Sequence, residues 1–140
     1  MKNTVLIITL ALITAACAHT GTPTEQAIEK VAYSYCMTAS EYKLDSAALY
    51  CTQESIDQSI AAGKFWLQYM DSAHIQANLP VTIDIKKIRQ TSDTTAFAVY
   101  HKKTPRKAYT DTVFLRYRHD RWLIHTPDEH REQKRGQRKR

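Results

Sequence analysis

The apolar residues of this chain change period at Pro80, from three-and-four spacing to alternation. Apolar side chains three and four apart share one face of a helix, whereas alternating ones share one face of a strand. Upstream, Thr22-Pro23-Thr24-Glu25 carries a capping box with proline at the first helical position. The helix it opens places Ile28, Val31, Ala32, Tyr35, Cys36 and Ala39 on one stripe and is expected to run to about Tyr42. A shorter piece starts at Leu44-Asp45, with Asp45 as N-cap and Ala48, Leu49 and Cys51 turned inward. Thr52 to Met70 reads as further helix, which Gly63 is expected to break or bend. From Asp71 to Leu79 no period stands out.

After Pro80, Val81, Ile83 and Ile85 alternate with polar residues, and Ile88 falls out of step, which marks a bulge at Lys86-Lys87. Ser92-Asp93 turns into a strand from Thr94 to His101, and Lys103-Thr104-Pro105-Arg106 turns into Ala108 to Arg118. His119-Asp120 then reverses the chain into Arg121 to Thr126. Helices followed by four strands on short turns predict an α+β domain, with N-terminal helices packed on a curved four-stranded antiparallel meander. With His119-Asp120 as the two turn residues, Arg118 faces Arg121, Tyr117 faces Trp122, Leu115 faces Ile124 and Val113 faces Thr126. Residues directly opposite share a face. Val113, Leu115, Tyr117, Trp122 and Ile124 therefore form one apolar, concave surface. Phe114, Arg116, Arg118, Arg121, Leu123 and His125 fall on the outward one.

The order of a long capped helix, a shorter second helix and a curved sheet resembles the nuclear-transport-factor-2-like α+β cone. The closing hairpin, Asp111 to Ile124, looks like that superfamily's last two strands, where a hydrophobic strand meets a polar turn and then Trp-x-Ile. It also looks like the small envelope lipoproteins built on this fold. The resemblance covers Thr22 to Thr126. It implies the fold, and it leaves open isomerases, dehydratases, transport adaptors and plain binding domains.

The first residues speak to location. Lys2 is followed by an apolar run from Val5 to Ile13, far shorter than the ~20 residues that span a bilayer. A charged start, a short apolar core and a small-residue end are the organisation of a secretory signal peptide. Ile13-Thr14-Ala15-Ala16-Cys17 resembles a bacterial lipobox, with Thr14 where leucine is usual. The expectation is a leader over residues 1–16, lipidation at Cys17, a tether over 17–21, the domain over 22–126 and a basic disordered tail over 127–140. Cleavage at an A-x-A-like site, releasing a soluble protein from His19, is the alternative. Ala18 is unlike the aspartate that holds enteric lipoproteins at the inner membrane. The implied address is therefore the periplasmic side of the outer membrane, with the bilayer as the first partner.

Charge and cysteines bound the rest. Ala18 to Leu79 has three Lys against seven Asp or Glu, whereas Pro80 to Thr126 has ten Lys or Arg against four Asp. Such positive charge suits anionic surfaces, and two complementary halves of one soluble domain explain it equally. An exported protein is in the wrong place for nucleic acid. Cys36 and Cys51 are either a disulfide, as an oxidising compartment favours, or two buried thiols. The six histidines are scattered without metal-ligand spacing, so neither a metal nor another cofactor is expected.

Two sites are open to prediction. Tyr35, Trp66, Tyr69, Tyr109, Asp111, Tyr117 and Trp122 would line a cavity for a small apolar ligand, unless they are simply core. Within it Asp111 lies on the concave side by period two, where an enclosed carboxylate could act as a general base for isomerase or dehydratase chemistry. Near the strand's open end it would instead be solvated. The outward residues Phe114, Arg116, Arg118, Arg121 and Leu123 form a docking face for an envelope protein or a second copy of the chain. A lipid-anchored binding or accessory domain is the reading these features favour over an enzyme.

Overall fold

The computed structural model describes residues 22–127. The expected leader, the expected lipidation at Cys17 and the expected tail beyond Pro127 lie outside the described residues. Helix α1 (Pro23–Ser40) opens with the capping box: the Glu25 N–H donates to the Thr22 hydroxyl at 3.2 Å, and the Thr22 N–H donates to the Glu25 carboxylate at 3.0 Å. It stops short of Tyr42, which takes a left-handed φ of 63°. The Lys43 N–H then reaches back to the Thr38 carbonyl at 2.8 Å, the closure that usually employs glycine.

The second helix, α2 (Leu44–Ala48), begins earlier than expected. Lys43, not Asp45, holds the cap position, and Asp45 sits in the first turn, ion-paired with Lys64. Thr52 caps a continuous helical run made of α3 (Gln53–Ser55), a π-helical turn (Ile56–Ile60) and α4 (Ala61–Leu67). Gly63 does not break it. The irregularity falls at the π turn, and Gly63 lets α4 approach α2, since an added Cβ would come within 3.2 Å of Leu44 Cδ1. A further helix, α5 (Ser72–Ala77), occupies the segment without a clear period. Its signal was Asp71, whose carboxylate accepts the His74 N–H at 2.6 Å.

Strands β1 (Thr82–Gln90), β2 (Thr95–Lys103), β3 (Ala108–Arg118) and β4 (Arg121–Ile124) form one antiparallel meander in chain order. The β1–β2 register shifts between Ile85 and Lys87, the bulge expected from sequence. The last hairpin pairs Arg118 with Arg121, Tyr117 with Trp122 and Leu115 with Ile124, also as expected. His119 and Asp120 both have positive φ, 52° and 60°, which matches a two-residue hairpin turn to the twist of its strands. Ile28 and Ala32 of α1, Ala47 of α2 and Ile60 pack on Ala96, Ala98, Leu115, Trp122 and Ile124 of the concave face.

Three expectations fail on burial. Cys36 and Cys51 are both free and buried, one packed with Val81 and Ile83 and the other in the main core, so no disulfide joins them. Leu123 is only 5% exposed and cannot dock a partner. His125 belongs to the outward side of the hairpin, yet it too is buried. One cause explains both. The chain from Tyr50 to Ser59 straps the end of β4: the Ile124 N–H donates to the Tyr50 carbonyl at 2.7 Å, the Thr52 N–H to the Ile124 carbonyl at 2.8 Å and the Thr126 N–H to Ser55 Oγ at 2.7 Å. The Thr52 hydroxyl lies 3.3 Å from His125 Nδ1 within that strap.

Candidate functional site

Two adjoining hollows form one groove where the start of α1, the α2–α3 connection and the β3–β4 hairpin meet. Their volumes are about 750 and 520 Å³, and they share Val31, Tyr50, Arg121 and Trp122. The α1 stripe continues past the core at Val31 and Ala27, so the helix supplies one wall. The hairpin supplies the other. Tyr117 and Trp122 face each other across it, ring centroids 5.4 Å apart in an edge-on contact. Trp122 is buried while Tyr117 keeps 39% exposure, so one ring roots the wall and the other forms its accessible surface. Leu49, Cys51 and Ile56 continue the apolar lining, and Lys30, His119, Asp120 and Arg121 bring polar groups around it. Such a lining, apolar with a few polar groups, is the ordinary make-up of a small-molecule site.

The seven aromatic and acidic residues expected to share one cavity are divided among four places. Tyr117 and Trp122 wall the groove. Tyr35 packs against the core, and burial with the neighbouring thiols pushes its phenol up to about 12. Trp66 and Tyr69 are 63% and 69% exposed on and just after α4, each edge-on to Phe65, and take no part in the groove. Their three-and-four spacing reads equally as a buried stripe, and only the position of α4 at the margin of the fold decides otherwise. Tyr109 and Asp111 lie at the far end of β3.

Asp111 does fall on the concave side, paired with Tyr100 across the β2–β3 register. It is nevertheless exposed, and its carboxylate accepts the backbone N–H of Thr112 at 2.7 Å. A general base needs an enclosed carboxylate with a hydrogen-bonding partner in reach, and Asp111 does not meet that geometry. Among the described residues no group of three His, Cys, Asp or Glu side chains could hold a metal ion.

On the outward face Phe114 is 42% exposed and lies directly opposite Phe97 of β2, with Arg116 exposed nearby, whereas Arg121, expected on that face, lines the groove instead. Arg118 is committed elsewhere: its Nη1 donates to Glu54 Oε1 at 2.7 Å, tying β3 to α3. Sequence reasoning missed Val31, Leu49 and Tyr50 as groove residues. Val31 reads as core from its stripe, and the approach of the α2–α3 connection to the hairpin is a tertiary fact without a local signal.

No protein-family profile and no curated protein sequence matches the chain. Among solved structures it is similar to an NTF-2-like protein of unknown function from Shewanella oneidensis MR-1. The match covers 74% of this chain and 94% of that one, with a TM-score of 0.52 and 20% identity. With the helices and meander described above, that likeness shows the fold: this chain has the nuclear-transport-factor-2-like α+β cone fold.

Proposed function

We propose that the protein is a lipid-anchored, periplasm-facing binding or accessory domain whose groove beside the β3–β4 hairpin takes a small apolar ligand. The observation that carries the binding half is the groove itself, open at Tyr117 and rooted in Trp122. The anchoring half rests on the lipobox-like Ile13 to Cys17 alone. Asp111, exposed and bonded to backbone, favours binding over isomerase or dehydratase chemistry. A second reading, docking of an envelope protein or a second copy on the outward sheet face, is favoured by the paired Phe97 and Phe114 beside Arg116.

Native mass spectrometry of the protein extracted from its own envelope tests both halves at once. The expected spectrum starts at Cys17 with acyl chains and carries a non-covalent small-molecule adduct. A chain starting at His19 without acyl groups would remove the anchor. A spectrum free of adduct, with the protein folded, would remove the ligand and leave the docking face.

A further inference from the structure

A lysine on the concave face of the sheet has no packing explanation. Lys102 pairs with Ile83 on one side and Tyr109 on the other, in the row of residues that elsewhere builds the core. It is half-buried, and burial together with Lys107 holds its ammonium below the usual lysine range. The groups packed around it offer little compensation: the Asp111 carboxylate, whose charge reaches Cys36, Tyr100 and Tyr109, forms no ion pair with it. Burial pushes the Cys36 thiol up to about 12 and raises the Tyr100 and Tyr109 phenols, so all three stay protonated near neutrality.

Lys102 lines a hollow of about 360 Å³ between the β2–β3 turn and the far end of the helical layer. Arg106 and Lys107 enter it from the turn, and Tyr42, His74 and Asn78 face them. The turn is locked from inside. Thr104 is buried, and its hydroxyl accepts the N–H groups of Arg106 at 3.3 Å and Lys107 at 3.2 Å. Both ammonium groups lie near the Tyr109 ring, Lys107 Nζ 5.2 Å and Lys102 Nζ 5.9 Å from its centroid. No carboxylate lines the hollow, and among the described residues none forms an ion pair with Lys102, Arg106 or Lys107. Two ammonium groups thus share one aromatic ring whose quadrupole balances only part of their repulsion, and Arg106 lines the same hollow.

We propose that this hollow is an anion site, taking the phosphate group of a small phosphorylated molecule between Lys102, Arg106 and Lys107. A phosphomonoester brings close to two negative charges and three acceptor oxygens, which matches three cationic donors better than a single carboxylate does. The Tyr42 and Tyr109 rings leave room for an organic substituent beside the phosphate. The site stands at the opposite end of β3 from the apolar groove, so the two stand or fall separately.

The test is calorimetric titration of the full chain in neutral detergent at low ionic strength with inorganic phosphate, glycerol 3-phosphate and dihexanoyl phosphatidic acid. Saturable binding at one site per chain is expected. Lys102→Met and Lys107→Met should each weaken it by about tenfold, the worth of one hydrogen bond to a charged group, while Arg89→Ala, at an exposed position of β1, leaves it unchanged. Tighter binding of the phosphatidic acid than of glycerol 3-phosphate identifies a lipid headgroup as the source. Equal binding identifies a soluble phosphomonoester. Absence of saturable binding to the folded protein overturns the proposal, as does an equal loss in Arg89→Ala. Lys107 is exposed, so its replacement decides the matter even if Lys102→Met fails to fold.

Discussion

Arg118 shows how one contact reassigns a residue. By parity it belongs to the outward face, yet it spends its charge on Glu54 and holds the Glu54 carboxyl at about 2, well below its ordinary 4.5. Its hydrogen bond is the largest cause. Because the folded value is depressed, the pair's contribution to stability is complete above pH 4.5 and fades as pH falls towards 2. Both side chains are partly exposed, so salt screens it. Carbon-detected NMR should find the Glu54 midpoint near 2 in the native chain and clearly higher in Arg118→Ala, where the backbone and Thr52 hydrogen bonds still lower it. An unmoved midpoint would mean that the pair does not form. The two thiols give the opposite sign. Burial raises Cys36 and Cys51 from 9.0 to about 12, so above pH 9 the unfolded chain releases protons that the folded one keeps. Their contribution is full below pH 9 and is lost as pH rises towards 12. At pH 8 neither should react with a thiol reagent until denaturant is added, when both react. A disulfide would leave both silent throughout.

At the scale of the element, the β3–β4 hairpin was the most legible part of the chain. Its pairing follows from Tyr117, Leu115, Trp122 and Ile124 agreeing on one face around a two-residue turn. The turn is also where sequence and backbone are at odds: His119 and Asp120 both adopt positive φ, which glycine accepts with less strain. Asp120→Gly should therefore stabilise the protein by roughly 0.5–1 kcal/mol in urea unfolding, with the groove-facing rings unmoved. A loss of stability would show that the Asp120 side chain has a role that the turn conformation does not reveal. The helices were harder to read. Capping residues fixed where α1 and α3 begin, but Asp45 could serve as a cap or as a first-turn acid, and Lys64 decided between them from nineteen residues away. The burial of Leu123 was equally illegible, since strand parity knows nothing of a strap that Tyr50 to Ser59 pair along the free edge of β4.

At the scale of the whole molecule, the cone has two unlike ends. α1, 18 residues and about 27 Å long, lines the apolar groove at Ala27 and Val31 and ends just before Tyr42, which lines the cationic hollow. β3 makes the same journey from Tyr117 to Tyr109. The basic surplus of the sheet half was visible in the sequence. Its concentration at one end was not, because it depends on a hairpin turn meeting the end of a helix. Five of the seven expected pocket residues lie outside the groove: Tyr35 packs against the core, Trp66 and Tyr69 are exposed, and Tyr109 and Asp111 belong to the end away from it.

The central claim, that the groove beside the hairpin is where this domain binds an apolar ligand, is tested most directly by titrating the chain with a fluorescent fatty acid. Saturable binding at one site is expected, abolished by Val31→Trp, which fills the shared wall, and unaffected by Trp66→Ala on the exposed helix. Binding that survives Val31→Trp in the folded protein, or that disappears with Trp66→Ala, would contradict the claim and move the ligand to the surface of α4.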